Sequence, residues 1–431
     1  MKIKSFLGNL AKTYLVVGAL SVSAYASADN WGYPPQYAPA CPQMCPPACA
    51  PASCCSEPPH CDWGYNPPAY SKCGNGCCNF FDTLGLRVDL LYWRPSVEEL
   101  ALGEEETIYP FVGTPDCCNA PKNRTHIKRP NFDFDTGFRL GISHFCPTSC
   151  WDVALNWTHY QNRTSVRGSS DLHLSSTAPN TALPTTPYTF FVPFWEGVEG
   201  AFPDFSKGRW KFDADWVDLE IGHKYYVSSC FIMRPFLSLR AARIDQTFRV
   251  ENHADRGFAT SVGDAFFGLS NRFNSEVRAT NKFLSIGPRV GVGLEYDIGC
   301  GFSIVGDVAG SILFGRAKKH AEEHFSGFDR VSGGAIATDL ELGGSHRGNS
   351  RFMSDLSLGV KWDHCFTCCN QSHVVTIAIL WEHHGFYKFN QFDFDGNKFD
   401  FSGVPDGDDV VRPYHCDVFT QGLTVAFNVG F

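Results

Sequence analysis

Leu423-Thr-Val-Ala-Phe-Asn-Val-Gly-Phe431 is the stretch whose reading decides the fold. Leu423, Val425, Phe427, Val429 and Phe431 share one parity; Thr424, Ala426, Asn428 and Gly430 share the other. Successive side chains of a strand point to opposite faces, so this is an amphipathic strand with one wholly apolar face. It runs to the last residue and stops on a phenylalanine, which is more typical of a bacterial outer-membrane barrel than of a soluble sheet. The expectation is a barrel whose assembly suffers when Phe431 is deleted or charged.

At the other end, Lys2, Lys4 and Lys12 precede the apolar run Tyr14-Leu-Val-Val-Gly-Ala-Leu20, and small-residue patterns follow at Ala24-Tyr-Ala26 and Ala26-Ser-Ala28. This is the pattern of a secretory signal peptide over 1–28, too short to span a bilayer. No later stretch has the roughly 18 uninterrupted apolar residues of a spanning helix. Export is therefore expected, with any membrane crossing made by strands.

Composition agrees. The 431 residues are 43% hydrophobic, with 40 Gly, 37 Phe and a mean hydropathy of -0.17, too polar for a helical membrane protein. Without the three leader lysines, 33 basic residues face 45 acidic ones, a net charge near -12 that argues against nucleic acid as a partner.

Two parts follow the leader. Residues 29–80 carry Cys41, Cys45, Cys49, Cys54, Cys55, Cys61, Cys73, Cys77 and Cys78 among prolines, with too few aliphatic residues to build a core. From 81 to 431, alternating segments recur between turns and polar loops. Leu86, Val88, Leu90 and Tyr92 oppose Arg87 and Asp89. Phe134, Phe138, Leu140 and Ile142 oppose Asp133, Asp135 and Arg139, and Val217, Leu219 and Ile221 oppose Asp218 and Glu220. Ile286, Val290 and Leu294 oppose Arg289 and Glu295; Ile304, Val308 and Ile312 oppose Asp307. Leu356, Leu358 and Val360 oppose Arg351, Asp355 and Lys361. With the segments around Trp151–Trp157, Phe231–Val250, Val375–Trp381 and the C-terminal stretch, about ten strands are expected, in a range of 8–14.

A secreted sandwich, with one face buried and one wet, is the plainer reading. Several segments, however, are about 10 residues or longer, as bilayer strands require. Tyr92, Trp93, Trp151, Trp157, Tyr225, Tyr226, Tyr296, Trp362 and Trp381 cluster towards segment ends, as girdles do. Short turns near 146–150, 228–230, 299–301 and 365–371 alternate with long connections near 96–131, 167–208, 252–273, 320–349 and 391–416. Short turns are periplasmic in outer-membrane barrels, so ten strands put both termini there. The expected fold is all-β, a transmembrane antiparallel barrel with a Cys/Pro-rich periplasmic segment. Arg87, Asp89, Asp133, Asp135, Arg139, Asp218, Glu220, Arg289, Glu295, Asp307, Arg351, Asp355 and Lys361 are the candidate lumen residues. Pro187–Trp195 is a candidate extra strand.

Cys146, Cys150, Cys230, Cys300, Cys365, Cys368 and Cys369 fall in or beside the short turns, so sixteen of the 19 cysteines are expected in one oxidising compartment. Cys117, Cys118 and Cys416 are assigned to external loops. An odd total leaves at least one thiol free or bonded between chains. Cys365-Phe-Thr-Cys368 lacks both a thioredoxin-like βαβ context and a matched zinc pair, so disulfides are favoured over redox or metal chemistry. His383 and His384 are adjacent, hence on opposite faces, and read as girdle or loop-edge residues. Asn123-Arg-Thr125, Asn156-Trp-Thr158 and Asn162-Arg-Thr164 match glycosylation sequons by chance if the cell is bacterial. No phosphate loop, nucleophile elbow or zinc-protease motif occurs, and neither an enzymatic role nor a cofactor is expected.

Val88-Asp-Leu-Leu-Tyr-Trp-Arg-Pro95 resembles the first-strand signature of the Legionella-type major outer membrane protein family. Phe138-Arg-Leu-Gly-Ile142 with Trp151-Asp-Val-Ala-Leu-Asn-Trp-Thr158, then Trp216-Val-Asp-Leu-Glu-Ile-Gly222 and Gly287-Pro-Arg-Val-Gly-Val-Gly293, are similar in order across about 84–431. The resemblance implies a pore-forming protein. The Cys/Pro-rich segment departs from the family pattern and suggests its chlamydia-like branch, whose disulfide-linked outer-membrane proteins stiffen the envelope. No catalytic or ligand residue is implied. Expected partners are outer-membrane lipid, small hydrophilic solutes, and a disulfide-linked homo-oligomer or other cysteine-rich envelope proteins. A closed structural or adhesive barrel is the alternative.

Overall fold

The alternation is realised as a barrel in the structure, a computed structural model that describes residues 84–97, 100–109, 124–146, 150–171, 188–195, 201–228, 230–259, 269–329, 334–368, 371–395 and 411–430. The leader, the 29–80 segment with its nine cysteines, Cys117, Cys118, Cys369 and Phe431 lie outside the described residues. Fifteen strands are described: β1 (Leu84–Val97), β2 (Gly103–Ile108), β3 (Arg124–Lys128), β4 (Asp135–Cys146), β5 (Trp151–Ser169), β6 (Tyr188–Pro193), β7 (Ala201–Phe202) and β8 (Phe205–His223) open the series. β9 (Tyr225–Tyr226), β10 (Phe231–Ala259), β11 (Leu269–Gly299), β12 (Phe302–Asp329), β13 (Gly334–Cys368), β14 (Gln371–Asp395) and β15 (Val411–Gly430) complete it.

Ten of them form the wall. The antiparallel ladder runs β1-β4-β5-β8-β10-β11-β12-β13-β14-β15 and returns to β1, so the sheet closes and has no edge. The last strand is the closure. Leu423, Val425 and Phe427 of β15 lie opposite Tyr92, Leu90 and Val88 of β1 on one side and Trp381, Ile379 and Ile377 of β14 on the other. All nine point outward and are more than a third exposed, while Thr424 and Ala426 point inward and are buried. The same row continues around the wall through Leu155, Leu219, Leu239, Ile286, Ile312 and Leu358, each between 45 and 62% exposed. An apolar surface this continuous is not tolerated in water, but it suits hydrocarbon. No helix among the described residues is long and apolar enough to cross a membrane, which says nothing about strands.

At one end the hairpins turn tightly. Between β11 and β12 the chain reverses over Gly299, Cys300 and Gly301, with φ of 105°, 55° and 80°. Gly301 is needed twice there, because a Cβ would also meet the Asp363 carbonyl at 2.3 Å. Cys146 ends β4, Cys150 stands just before β5, and Cys230 precedes β10, so these cysteines sit at the same rim as Cys300. The start of β1 and the end of β15 lie at that rim too.

At the opposite end two of the expected long loops, 252–273 and 320–349, are mostly strand among the described residues. β10 and β11 pair as far as Ala259↔Leu269, and β12 and β13 as far as Asp329↔Gly334. β13 alone has 35 residues, about 115 Å of chain, far more than a bilayer needs. Charged side chains hid this extension, since above the lipid both faces of a strand can be polar. Four placements differ from expectation. Cys416 lies within β15, buried, accepting a 2.8 Å hydrogen bond from Asn390 Nδ2. β6, inside Pro187–Trp195, pairs with β2 in a separate three-stranded sheet with β3 and does not widen the barrel. Asp133 precedes β4, outside any strand and exposed, and its carbonyl accepts from Asn162. Trp93 is not a girdle residue: it has the inward parity of β1 and is fully buried.

Candidate functional site

Inward residues are where the ten strands meet, and at mid-height they form a belt of ion pairs. Arg87 holds Asp89 at 2.8 Å, and Asp89 accepts from Arg139 at 3.0 Å. Arg139 reaches past β1 and β15 to grip Glu382 of β14 with two parallel bonds of 3.0 Å. His384 comes next, with Nε2 at 3.3 Å from Glu382 and Nδ1 at 2.8 Å from Asp355. Ionised carboxylates only accept, so an imidazole between two of them carries both protons. Asp355 of β13 also accepts from Arg240 of β10 (3.0 Å) and Arg289 of β11 (2.9 Å). Arg240 forks onto Asp218 at 2.7 and 2.8 Å, Arg289 reaches Glu220 at 2.9 Å, and Arg234 bridges Glu220 (2.7 Å) and Asp152.

Eight of the ten wall strands supply this chain of contacts; β12 and β15 supply small residues instead, among them Ala309, Ser311, Thr424 and Ala426. Five arginines and His384 face Asp89, Asp152, Asp218, Glu220, Asp355 and Glu382, one basic group for each carboxylate. Balance and bidentate geometry are what buried ions require. Arg139–Glu382 and Arg240–Asp355 each skip two strands, so they reach across part of the lumen.

An aromatic layer lies on the belt towards the extended end. Trp93 stacks on Trp216 at 6.2 Å, His384 packs on Trp93 at 4.5 Å, and Arg240 sits 5.7 Å from the Trp216 ring centre. Trp93 Nε1 donates to Thr424, and its carbonyl accepts from the Tyr160 hydroxyl at 2.7 Å. β14 adds a plug from the wall itself. Phe386 keeps the inward parity of Glu382 and His384, and the ladder with β15 then breaks between Phe386 and Asn390, with Lys388 at φ 60°, a bulge that turns Phe389 inward as well. The Phe389 carbonyl accepts from Gln246 (2.9 Å) and Asn281 (2.8 Å), and Arg351 lies between the rings of Phe283 and Phe389. Above them Trp195 enters from beyond β6, donating to the Ala101 carbonyl at 2.8 Å and packing on Phe248.

Towards the turn end the lumen is wetter. Lys361 pairs with Glu295 (2.6 Å) and Asp363 (2.8 Å), and Asp307, hydrogen-bonded to Ser357 at 3.0 Å, is solvent-exposed. The buried hydroxyls of Ser238 and Ser311 meet no hydrogen-bond partner among the described residues. At the far tip, beyond the belt, a cavity of about 440 Å³ is lined by Phe205, Glu251, Asn252, His253, Asn274, Ser275, Glu276, His324 and Ser326. The Asn274 hydrogen bond and then Asp255 raise the His253 pKa; Asp339 does the same for His324.

Of the thirteen expected lumen residues, Arg87, Asp89, Arg139, Asp218, Glu220, Arg289 and Asp355 meet in the belt, and Glu295, Asp307 and Lys361 lie below it. Arg351 belongs to the aromatic layer, and Asp135, at the first position of β4, caps the Thr136 amide. The belt also holds Asp152, Arg234 and Arg240, which the sequence places on polar strand faces without marking them as lumen residues, and Glu382; His384, expected as a girdle or loop-edge residue, is buried in it. Parity held the signal for all five: Glu382 and His384 alternate with Trp381 and His383, which face outward, His383 stacked on Phe419. Among the described residues no group of three or more metal-ligating side chains converges.

An apolar outer wall, a charged lumen, tight turns at one rim and a closed ten-strand ladder define an outer-membrane β-barrel. The sequence pattern described as Legionella pneumophila major outer membrane protein precursor matches residues 81–391, and the chain belongs to that family. No curated protein matches it. Solved barrels resemble it at low identity. The outer membrane protease OmpT from Escherichia coli is 10% identical with a TM-score of 0.37, the match covering 83% of this chain and 99% of that one. A Pseudomonas aeruginosa FadL homologue is 8% identical with a TM-score of 0.25, covering 81% and 90%. The P. putida toluene transporter TodX is 7% identical with a TM-score of 0.23, also covering 81% and 90%.

Proposed function

We propose that the barrel is a porin-like channel of low conductance for small hydrophilic solutes, held shut in this conformation by the lumen belt, and that its periplasmic cysteines tie it into a disulfide-linked envelope. The belt carries the reading. Arg139, Arg234 and Arg289 each contact two carboxylates, so one contact of each can exchange for water or solute without leaving an unpaired charge. A lumen filled for stability alone is served as well by apolar side chains, which replace buried ion pairs at little or no cost. The wet lower lumen supports the same reading. Support for the envelope link comes from Cys146, Cys150, Cys230 and Cys300 at the turn rim, within reach of a tether of about 50 residues. No catalytic role is proposed.

Planar-bilayer recording of the refolded barrel tests the channel. Small, brief openings are expected, with longer ones in Arg289→Gln; silence from both proteins rejects a pore. A closed structural or adhesive barrel is the second reading, favoured by the full burial of Trp93, Phe386 and Phe389 across the lumen. The link is tested separately by mass spectrometry of non-reduced peptides, with inter-chain pairs expected and pairing confined to residues 41–78 rejecting it.

A further inference from the structure

On one side of the barrel the outer wall turns basic where the apolar band ends. Outward positions of β12 run from Phe302 to Phe314, twelve residue steps or about 40 Å of strand, which at a tilt near 40° is about 30 Å of height. Arg316 and Lys318 follow on the same face, both exposed. On β11 the outward order away from the turns is Ile286, Leu284, Lys282, and Lys282 is the register partner of Lys318 while Leu284 is that of Arg316. On β10, Arg243 lies opposite Leu284 and holds Asp245, the register partner of Lys282, at 2.7 Å.

Four cations and a single carboxylate thus share a three-strand edge directly above Leu284 (67% exposed), Ile286 (52%) and Phe314 (54%). Like charges directly opposite on neighbouring strands repel. Lys282 and Lys318 are such a pair, and neither has a carboxylate within 4.0 Å among the described residues. At the same height on β5 and β8 the pattern differs, for there His159 pairs with Asp215 and Lys211 with Asp213. The basic edge is local to β10–β12.

With the turn rim periplasmic, the extended end faces outward and this edge stands at the headgroup level of the outer leaflet. We propose that Lys282, Lys318 and Arg316 bind the phosphate of a phosphomonoester-bearing outer-leaflet lipid, with its acyl chains lying on Leu284, Ile286 and Phe314. A phosphomonoester brings close to two negative charges and several acceptor oxygens, which relieves the Lys282–Lys318 repulsion. Each basic side chain near a membrane surface also attracts anionic lipid on its own account. The site lies outside the lumen and does not depend on conduction.

Native mass spectrometry of the full-length barrel folded in neutral detergent tests it, with short-chain phosphatidic acid as probe and phosphatidylcholine of the same chains as reference. The expected result is a preference for phosphatidic acid of about tenfold or more that weakens with salt and is lost in Lys282→Gln/Lys318→Gln. The same preference should persist in Arg167→Gln/Lys207→Gln, a register pair nearer the extracellular tip. No preference in the wild-type protein overturns the proposal, whether or not the variants fold. An unchanged preference in the folded Lys282/Lys318 variant overturns it too, as does full displacement of the lipid by millimolar inorganic phosphate, which would mark a soluble-anion site.

Discussion

The two faces of one strand obey different rules. On β13, Leu356, Leu358 and Val360 look outward, each exposed, beside their cross-strand neighbours on β12 and β14. One residue away on the same strand, Asp355 accepts from Arg240, Arg289 and His384, which come from three other strands. The outer face needs a polarity and tolerates any residue that has it. The inner face needs particular partners at particular heights. That difference separates a surface set by solvent from a site set by geometry.

The largest effect expected is on the inner face. Glu382→Gln leaves Arg139 with Asp89 alone and His384 with Asp355 alone, and removing one member of a buried pair costs about 3–5 kcal/mol. Urea unfolding in lipid vesicles, followed by the heat-modifiable gel shift, reads the loss; a cost below about 1 kcal/mol would show that the belt is solvated and the contrast between the faces overstated. A charge on the outer face comes next. Val290→Lys or Leu358→Lys is expected to cost about 2–4 kcal/mol near mid-bilayer in the same assay. Arg289→Gln also loses stability, because Arg289 joins Asp355 to Glu220, so the faces are told apart by conductance and not by stability alone.

The smallest effect lies beyond the membrane. The pKa values of His253 and His324 are raised by their partners, so their stabilising contribution is complete below about pH 6.5 and fades as pH rises through the folded values. Amide exchange at 252–255 and 322–326 should quicken modestly between pH 5.5 and 8, after correction for intrinsic rates, while β11 near Val290 stays unchanged. Equal changes in both places would mean that the extension and the wall open as one unit.

Much of the wall was legible in the sequence because facing is local. Whether Val425 or Thr424 meets lipid depends on parity, and hydrophobicity at i, i±2 reports it directly. The count of ten strands, the turn rim with Cys146, Cys230 and Cys300, and the inward positions of Asp89, Arg139, Asp218 and Asp355 all followed from that rule. The strand extensions did not, since the contrast between the faces disappears once both meet water, and β12 then reads as loop from about residue 320. Nor did Trp93, whose aromatic character suggested a girdle although its parity placed it inside.

By itself the sequence determined a β-barrel with an apolar outer wall and a last strand at Leu423–Phe427, because period-two patterning and hairpin length are local properties of the chain. Only the tertiary structure decided which inward charges meet. Arg139 and Glu382 are 243 residues apart and become partners through the stagger of a closed ten-strand ladder, which no local pattern records. The bulge that turns Phe389 into the lumen is likewise invisible in the alternation, which it interrupts. The sequence thus specified the barrel wall, and closure of the ladder decided which charged and aromatic side chains meet inside it.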